Sequence, residues 1–166
     1  MSPRVVLVGP MGAGKSTVAQ LLADGWGVAA RDTDADIEAA EGRSVSDIFL
    51  ESGEAHFRAL ERSAVAAAVA SHDGVLSLGG GAVLDAATRE LLSGLPVVFL
   101  RVGLADAVKR VGLGTSRPLL LGNVRSRIKA LLDERTPIYE SVATICVDTD
   151  QRTPEDVAEA IREALT

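Results

Sequence analysis

Eight residues constrain this chain more than any others: Gly9-Pro10-Met11-Gly12-Ala13-Gly14-Lys15-Ser16. They match the pattern G-x-x-x-x-G-K-[ST], follow the short β-branched run Val5 to Val8, and precede a stretch with helical spacing at Val18, Leu21 and Leu22. A strand, a glycine loop and a helix in that order let successive backbone N–H groups curl around phosphate oxygens at the positive end of the helix. Lys15 then reaches the β and γ phosphates, and the Ser16 hydroxyl is placed to ligate Mg2+. An ordinary Gly-rich turn requires neither the lysine nor the serine. The segment Gly12, Ala13, Gly14, Lys15, Ser16 and Thr17 is therefore the candidate nucleotide-binding loop.

The remaining pattern supplies the sheet that such a loop grows from. Short apolar runs at Val28 to Arg31, Val75 to Leu78, Val97 to Leu100 and Thr144 to Asp148 read as four further strands. Helical spacing lies between them, as at Phe57, Leu60, Ala64 and Ala68, and Val157, Ile161 and Leu165 close the chain. Strand and helix in alternation predict right-handed crossovers, a parallel sheet and an α/β fold. A sequence 47% apolar but only 3% aromatic suits a parallel sheet covered by helices better than an aromatic-rich sandwich. At 166 residues, one domain spanning 1–166 is expected. Two segments break the rhythm: 34–70 is too long for one crossover helix, and 112–123 is bracketed by glycines and asparagine around Ser116-Arg117-Pro118. Both are expected as insertions over the active face of the same domain.

Formal net charge is −6, and no run of Lys and Arg offers a basic stripe, so nucleic acid is not an expected partner. Any phosphate site must then be built from a few local cations and backbone amides. The single cysteine, Cys146, excludes an internal disulfide and a thiolate zinc cluster, and its apolar setting predicts a buried structural residue. The apolar run after the N-terminus is four residues long, and nowhere do 18 uncharged apolar residues follow one another. A soluble, cytoplasmic protein with no membrane contact is the expectation.

Asp32-Thr33-Asp34 follows the second strand, at the sheet end where ligands of open α/β folds lie. Alternation along extended chain would turn both carboxylates to one side, one to hold Mg2+ through water and one to orient an acceptor hydroxyl and take its proton. A helix N-cap, on a helix beginning near Ala35, is the competing role. Glu54, Arg58 and Glu61 share one helix face, which by itself reads as a solvated ladder of ion pairs. His56 has no second base near it in sequence and reads as structural. Gly79-Gly80-Gly81, directly after the third strand, signals close backbone approach, positive φ, or both. Arg117, in the Gly-bracketed segment, could swing its guanidinium onto developing negative charge, and Arg135 precedes Thr136-Pro137 at an expected helix interruption; either reads equally as a solvent-facing charge.

Taken in order, the P-loop, Asp32-Thr33-Asp34, Ser-x-x-x-Ile-Phe at Ser44 to Phe49, Gly53-Glu54-x-x-Phe57-Arg58-x-x-Glu61, Gly79-Gly80-Gly81-Ala82-Val83, Arg117-Pro118-Leu119 and Arg135-x-Pro137-x-Tyr139 resemble the shikimate kinase family over nearly the whole chain. The P-loop alone is shared by many activities; the later motifs are far more specific. The resemblance implies a three-layer P-loop kinase fold with strand order 2-3-1-4-5, a substrate-binding subregion near 33–61 and a lid near 112–123. It implies transfer of the γ-phosphoryl group of ATP to the 3-hydroxyl of shikimate, with Mg2+ as cofactor and the protein acting as a monomer. Asp34, Arg58, Gly80 and Arg135, with Gly79 and Gly81 beside them, would bind shikimate, Arg58 and Arg135 gripping its carboxylate. Ser16 would be a direct Mg2+ ligand and Asp32 a water-mediated one. Lys15, Asp34 and Arg117 would be catalytic, and Arg110, Arg152 and Pro154 would flank adenine. Arg31, where an aliphatic residue is common, and Gly112-Leu113-Gly114-Thr115, where a Gly-Gly pair is common, depart from the family pattern.

Two other functions fit the P-loop: a kinase with another acceptor, such as gluconate or a nucleoside monophosphate, and a catalytically silent binding module. Three Phe and one Tyr are few for a planar base, and a silent module has no need of Lys15, Ser16, Asp32, Asp34 and Arg117 together.

Overall fold

The computed structural model describes residues 2–112 and 124–166. Nearly all of the expected lid, Arg117 included, lies outside them. Five parallel strands, β1 (Val5–Val8), β2 (Ala30–Asp32), β3 (Val75–Ser77), β4 (Val97–Arg101) and β5 (Ile145–Asp148), form one sheet in the order β2-β3-β1-β4-β5. Both the architecture and the strand order match the expectation. Strand β2 starts two residues later than its apolar run suggested. Gly27, left-handed, caps α1 (Lys15–Trp26), and the Val28 N–H is used on the Ala23 carbonyl, so the chain extends only from Ala30.

Because β1 is central, its alternate side chains serve two cores. Val5 and Leu7 pack with α1, with α6 (Leu104–Gly112) and with α8 (Pro154–Ala164). Val6 and Val8 face α4 (Glu54–Ser71) and Tyr139, which lies on α7 (Val124–Val142). The long segment 34–70 becomes α2 (Thr33–Glu41), α3 (Val45–Ser52) and α4, with a small core of its own at Ile37, Ile48 and Phe57. A 3-10 turn at Ala82–Leu84 and the helix α5 (Ala86–Leu92), capped by Asp85, return the chain to β4.

Two local expectations are corrected. No interruption occurs at Arg135-Thr136-Pro137: α7 runs through Pro137, whose position and that of Asp133, the carbonyl that loses its N–H partner, are both exposed to water. Cys146 is exposed, not buried, because β5 is an edge strand on which Val147 packs inward while Cys146 and Asp148 face out. Among the described residues no helix is long and apolar enough to cross a membrane.

Candidate active site

The carboxyl ends of β1, β2 and β3 open into one cleft of about 320 Å3, and most of the residues expected from the sequence line it, whereas Ala13, Arg110, Arg152 and Pro154 do not. Its nucleotide side is the P-loop. Gly14 sits left-handed at φ 84° as the N-cap of α1, a conformation a side chain resists, and it turns the loop amides ahead of the helix. The Lys15 ammonium folds back over this loop, donating to the Gly9 carbonyl at 2.7 Å and to that of Pro10 at 3.0 Å. Arg110, on α6, braces the loop from behind. It donates to the Gly12 carbonyl at 3.0 Å, to Thr149 Oγ1 at 3.0 Å and to the Thr149 carbonyl at 2.9 Å. Arg152 donates to the Asp148 carbonyl at 3.1 Å, and Pro154 opens α8 behind a capping box of Thr153 and Asp156. The three residues expected near adenine thus gather at the carboxyl end of β5.

Asp32 and Asp34 both line the cleft, though not for the reason their spacing suggested. Helix α2 begins at Thr33, so Asp32 ends the strand and Asp34 lies in the first helical turn. The N-cap is Asp32: its Oδ1 accepts from the Asp34 N–H at 2.8 Å and the Ala35 N–H at 3.3 Å. Its other oxygen, Oδ2, accepts from the Ser16 hydroxyl at 2.7 Å. Capping therefore uses one oxygen of this carboxylate, and the other faces the Ser16 hydroxyl. A hydroxyl and a carboxylate so close, beside a phosphate loop, fit a hard cation such as Mg2+, which keeps waters and borrows phosphate oxygens. Consistent with so sparse a donor set, the described residues contain no group of three His, Cys, Asp or Glu able to hold a metal.

The acceptor side is assembled from distant segments. Arg58, on α4, pairs with Glu61 at 2.8 Å and with Glu54 at 3.4 Å, so the expected ion-pair ladder forms. It is not solvated as a ladder would be, because the Glu61 side chain is only 4% exposed. Burial raises the Glu61 carboxyl above its ordinary range, the neighbouring Asp34 adds to that, and the Arg58 and Arg135 guanidinium groups oppose it. Arg135, on α7, is buried, and the Nε atoms of both arginines and Oε2 of Glu61 are buried without a hydrogen-bond partner. Arg58 also lies 5.9 Å over the Phe49 ring and 5.4 Å over that of Phe57, two rings 4.8 Å apart. His56 is exposed, 3.9 Å from Glu41, and outside the cleft.

Gly79-Gly80-Gly81 is the junction of the two sides. None of the three has positive φ, so at Gly79 and Gly81 close approach is the operative reason for glycine. A Cβ on Gly79 would stand 2.6 Å from Asp34 Oδ1, and one on Gly81 would fall 2.4 Å from the Arg58 guanidinium. Gly80 faces the P-loop and Arg135 with ordinary room, 3.6 Å to the Gly9 carbonyl and 3.8 Å to Arg135. Sequence reasoning assigned no part in the site to Phe49 or Tyr139, although both stand in motifs it singled out. It read Glu61 only as a ladder residue.

Comparison with known proteins identifies one family. The family model described as shikimate kinase matches residues 11–166. A shikimate kinase of Thermobifida fusca is 59% identical over 163 residues, 98% of this chain and 95% of the relative. Among solved structures, a shikimate kinase from Acinetobacter baumannii in complex with shikimate superposes with a TM-score of 0.94 at 35% identity, covering 99% of this chain and 93% of that one. A gluconokinase from Sinorhizobium meliloti, at a TM-score of 0.63 and 21% identity over 99% of this chain and 91% of its own, shares the fold alone.

Proposed function

This chain belongs to the shikimate kinase family and phosphorylates shikimate from ATP, and we propose that it does so with the P-loop holding the nucleotide and Arg58 and Arg135 holding the acceptor. One observation carries the acceptor assignment. In a chain of net charge −6, two arginines with buried, unpartnered Nε atoms face one small cleft opposite the P-loop. Such donors call for a compact anion that accepts from both, and a carboxylate does so with paired oxygens. The A. baumannii relative binds shikimate, a small carboxylic acid whose hydroxyls also need acceptors, and Asp34 stands at the same cleft to meet them.

Transfer of a phosphoryl group places negative charge on peripheral oxygens, so this protein's work is positioning and electrostatics. The P-loop amides and α1 dipole bind the β phosphate, and Lys15 leaves its loop carbonyls to meet the γ-phosphoryl. Ser16 and Oδ2 of Asp32 would hold Mg2+, which when bound screens the phosphate charge. Asp34 aligns the 3-hydroxyl in line and accepts its proton as the new O–P bond forms and the bond to the β-phosphate oxygen breaks, leaving shikimate 3-phosphate and ADP. Gly79 and Gly81 let Asp34 and Arg58 close on the substrate without steric conflict. Arg110, Arg152 and Pro154 stand where a nucleotide base would extend beyond the loop, and Arg117 would act on the transferring group.

The decisive experiment is calorimetric titration of shikimate with and without a nonhydrolysable ATP analogue, followed by turnover on shikimate, gluconate and a nucleoside monophosphate. Binding and turnover confined to shikimate are expected; turnover of gluconate instead would overturn the acceptor assignment.

A further inference from the structure

We propose that Tyr139 is a positioning residue for the acceptor: its hydroxyl fixes the orientation of the Gly80–Gly81 peptide and so presents that backbone, together with Arg135, to the substrate. The inference rests on the reading that Gly79 to Gly81 and Arg135 hold shikimate. The Tyr139 side chain is fully buried, its hydroxyl donates to the Gly80 carbonyl, and its ring packs at 5.0 Å on Phe99 of β4, an interior strand of the sheet. The anchor is thus rigid on one side and tied to the glycine junction on the other.

A trans peptide is planar, with its C=O and N–H pointing in opposite directions. When the Gly80 carbonyl is held toward Tyr139, beneath the junction, the Gly81 N–H must point the other way, into the cleft that these glycines line. The turn that the Ala82 N–H closes on the Gly79 carbonyl at 3.1 Å spans Gly80 and Gly81, and with glycine at both central positions its central peptide has two orientations open to it. An external tether is what a permissive segment needs. Tyr139 also lies one helical turn after Arg135 on α7, so the same face of one helix carries the tether and the guanidinium. Burial pushes the phenol up to about 12, with Arg135 beside it acting in the opposite direction, so the hydroxyl stays protonated and remains a donor at neutral pH.

The test is Tyr139→Phe, which removes one oxygen and keeps the packed ring. The variant should keep the parent's circular dichroism and melting, weaken shikimate binding by about 5- to 100-fold, and bind a nonhydrolysable ATP analogue as the parent does. A folded Y139F that binds shikimate like the parent overturns the inference. So does one that loses both ligands equally, since that marks general loosening. Tyr139 is the sole tyrosine, so uniform 3-fluorotyrosine labels this position alone and decides the matter even if Y139F does not fold. Its fluorine resonance should shift on addition of shikimate, and an unmoved resonance overturns the proposal. If the parent itself fails to bind shikimate, the reading of the site falls; if the parent binds and Y139F is unchanged, this inference falls alone.

Discussion

On the nucleotide side of the cleft, every loop group that handles phosphate comes from one unbroken stretch, and Lys15 reaches carbonyls only five and six residues away. On the acceptor side, Asp34, Arg58, Gly81 and Arg135 arrive from four separate parts of the chain and meet only because α2, α4, the segment after β3 and α7 are packed around one opening. On the proposed reading, the first side would work mainly through backbone amides and a helix end, which suit any phosphate. The second would work through side chains with unsatisfied donors, which suit one acceptor. A general half and a selective half have been joined at Gly79-Gly80-Gly81.

Substitutions should separate the halves by which quantity they change. Lys15→Met should have the largest effect, a loss of turnover on the order of 10³ or more, because the transferring phosphoryl group would lose the cation that the P-loop supplies. Its circular dichroism should match the parent's; a parallel loss of fold would mean that Lys15 is structural. Next, Asp34→Asn removes the proton acceptor and one charge and should lower kcat by about 10² to 10³ with nucleotide affinity retained. A kcat near the parent's would remove Asp34 from the chemistry. Arg58→Ala should cost about 2 to 4 kcal/mol of shikimate binding and leave ATP binding nearly untouched, as measured by calorimetry. Normal shikimate binding would return Glu54, Arg58 and Glu61 to the status of surface ion pairs.

The smallest effect concerns Glu61, and its sign follows from burial. The carboxyl is raised in the folded protein, so its contribution to stability is fully present below the ordinary glutamate range and is lost as pH rises through the raised value. Glutamine does not titrate. Relative to Glu61→Gln, the parent should therefore lose melting temperature as pH rises above the ordinary glutamate range. A difference constant across that range would mean that Glu61 behaves as an ordinary carboxylate. At neutral pH the same variant should bind shikimate less well, since the 2.8 Å partner of Arg58 becomes a neutral amide that orients the guanidinium more weakly.

Legibility from sequence followed the same division. The P-loop could be read because its parts are adjacent and its chemistry is a matter of backbone geometry. The five strands and their parallel arrangement followed from apolar periodicity, with errors only at ends such as Val28, where a helix cap claimed the residue. The acceptor residues could be named from the family resemblance but not weighed. Nothing in Arg58-x-x-Glu61 says that the glutamate is buried, because that depends on the glycines of another segment standing against it. Likewise, no local signal places Cys146 outside: that depends on β5 having no neighbour beyond it.

The two outer glycines of the junction carry a consequence for how such a pocket changes over generations. Gly79 and Gly81 are small because the Asp34 carboxylate and the Arg58 guanidinium occupy the space a methyl would fill, and not because the chain there bends unusually. Each glycine is the negative image of a particular partner. A lineage that exchanged Arg58 for a shorter residue, in adopting an uncharged acceptor, would release position 81 from selection at the same moment. Alanine or serine there would then also stiffen the junction. Drift at these two positions should therefore come in pairs, 34 with 79 and 58 with 81, and an inventory of divergent pockets would show the acceptor changing before the glycines do.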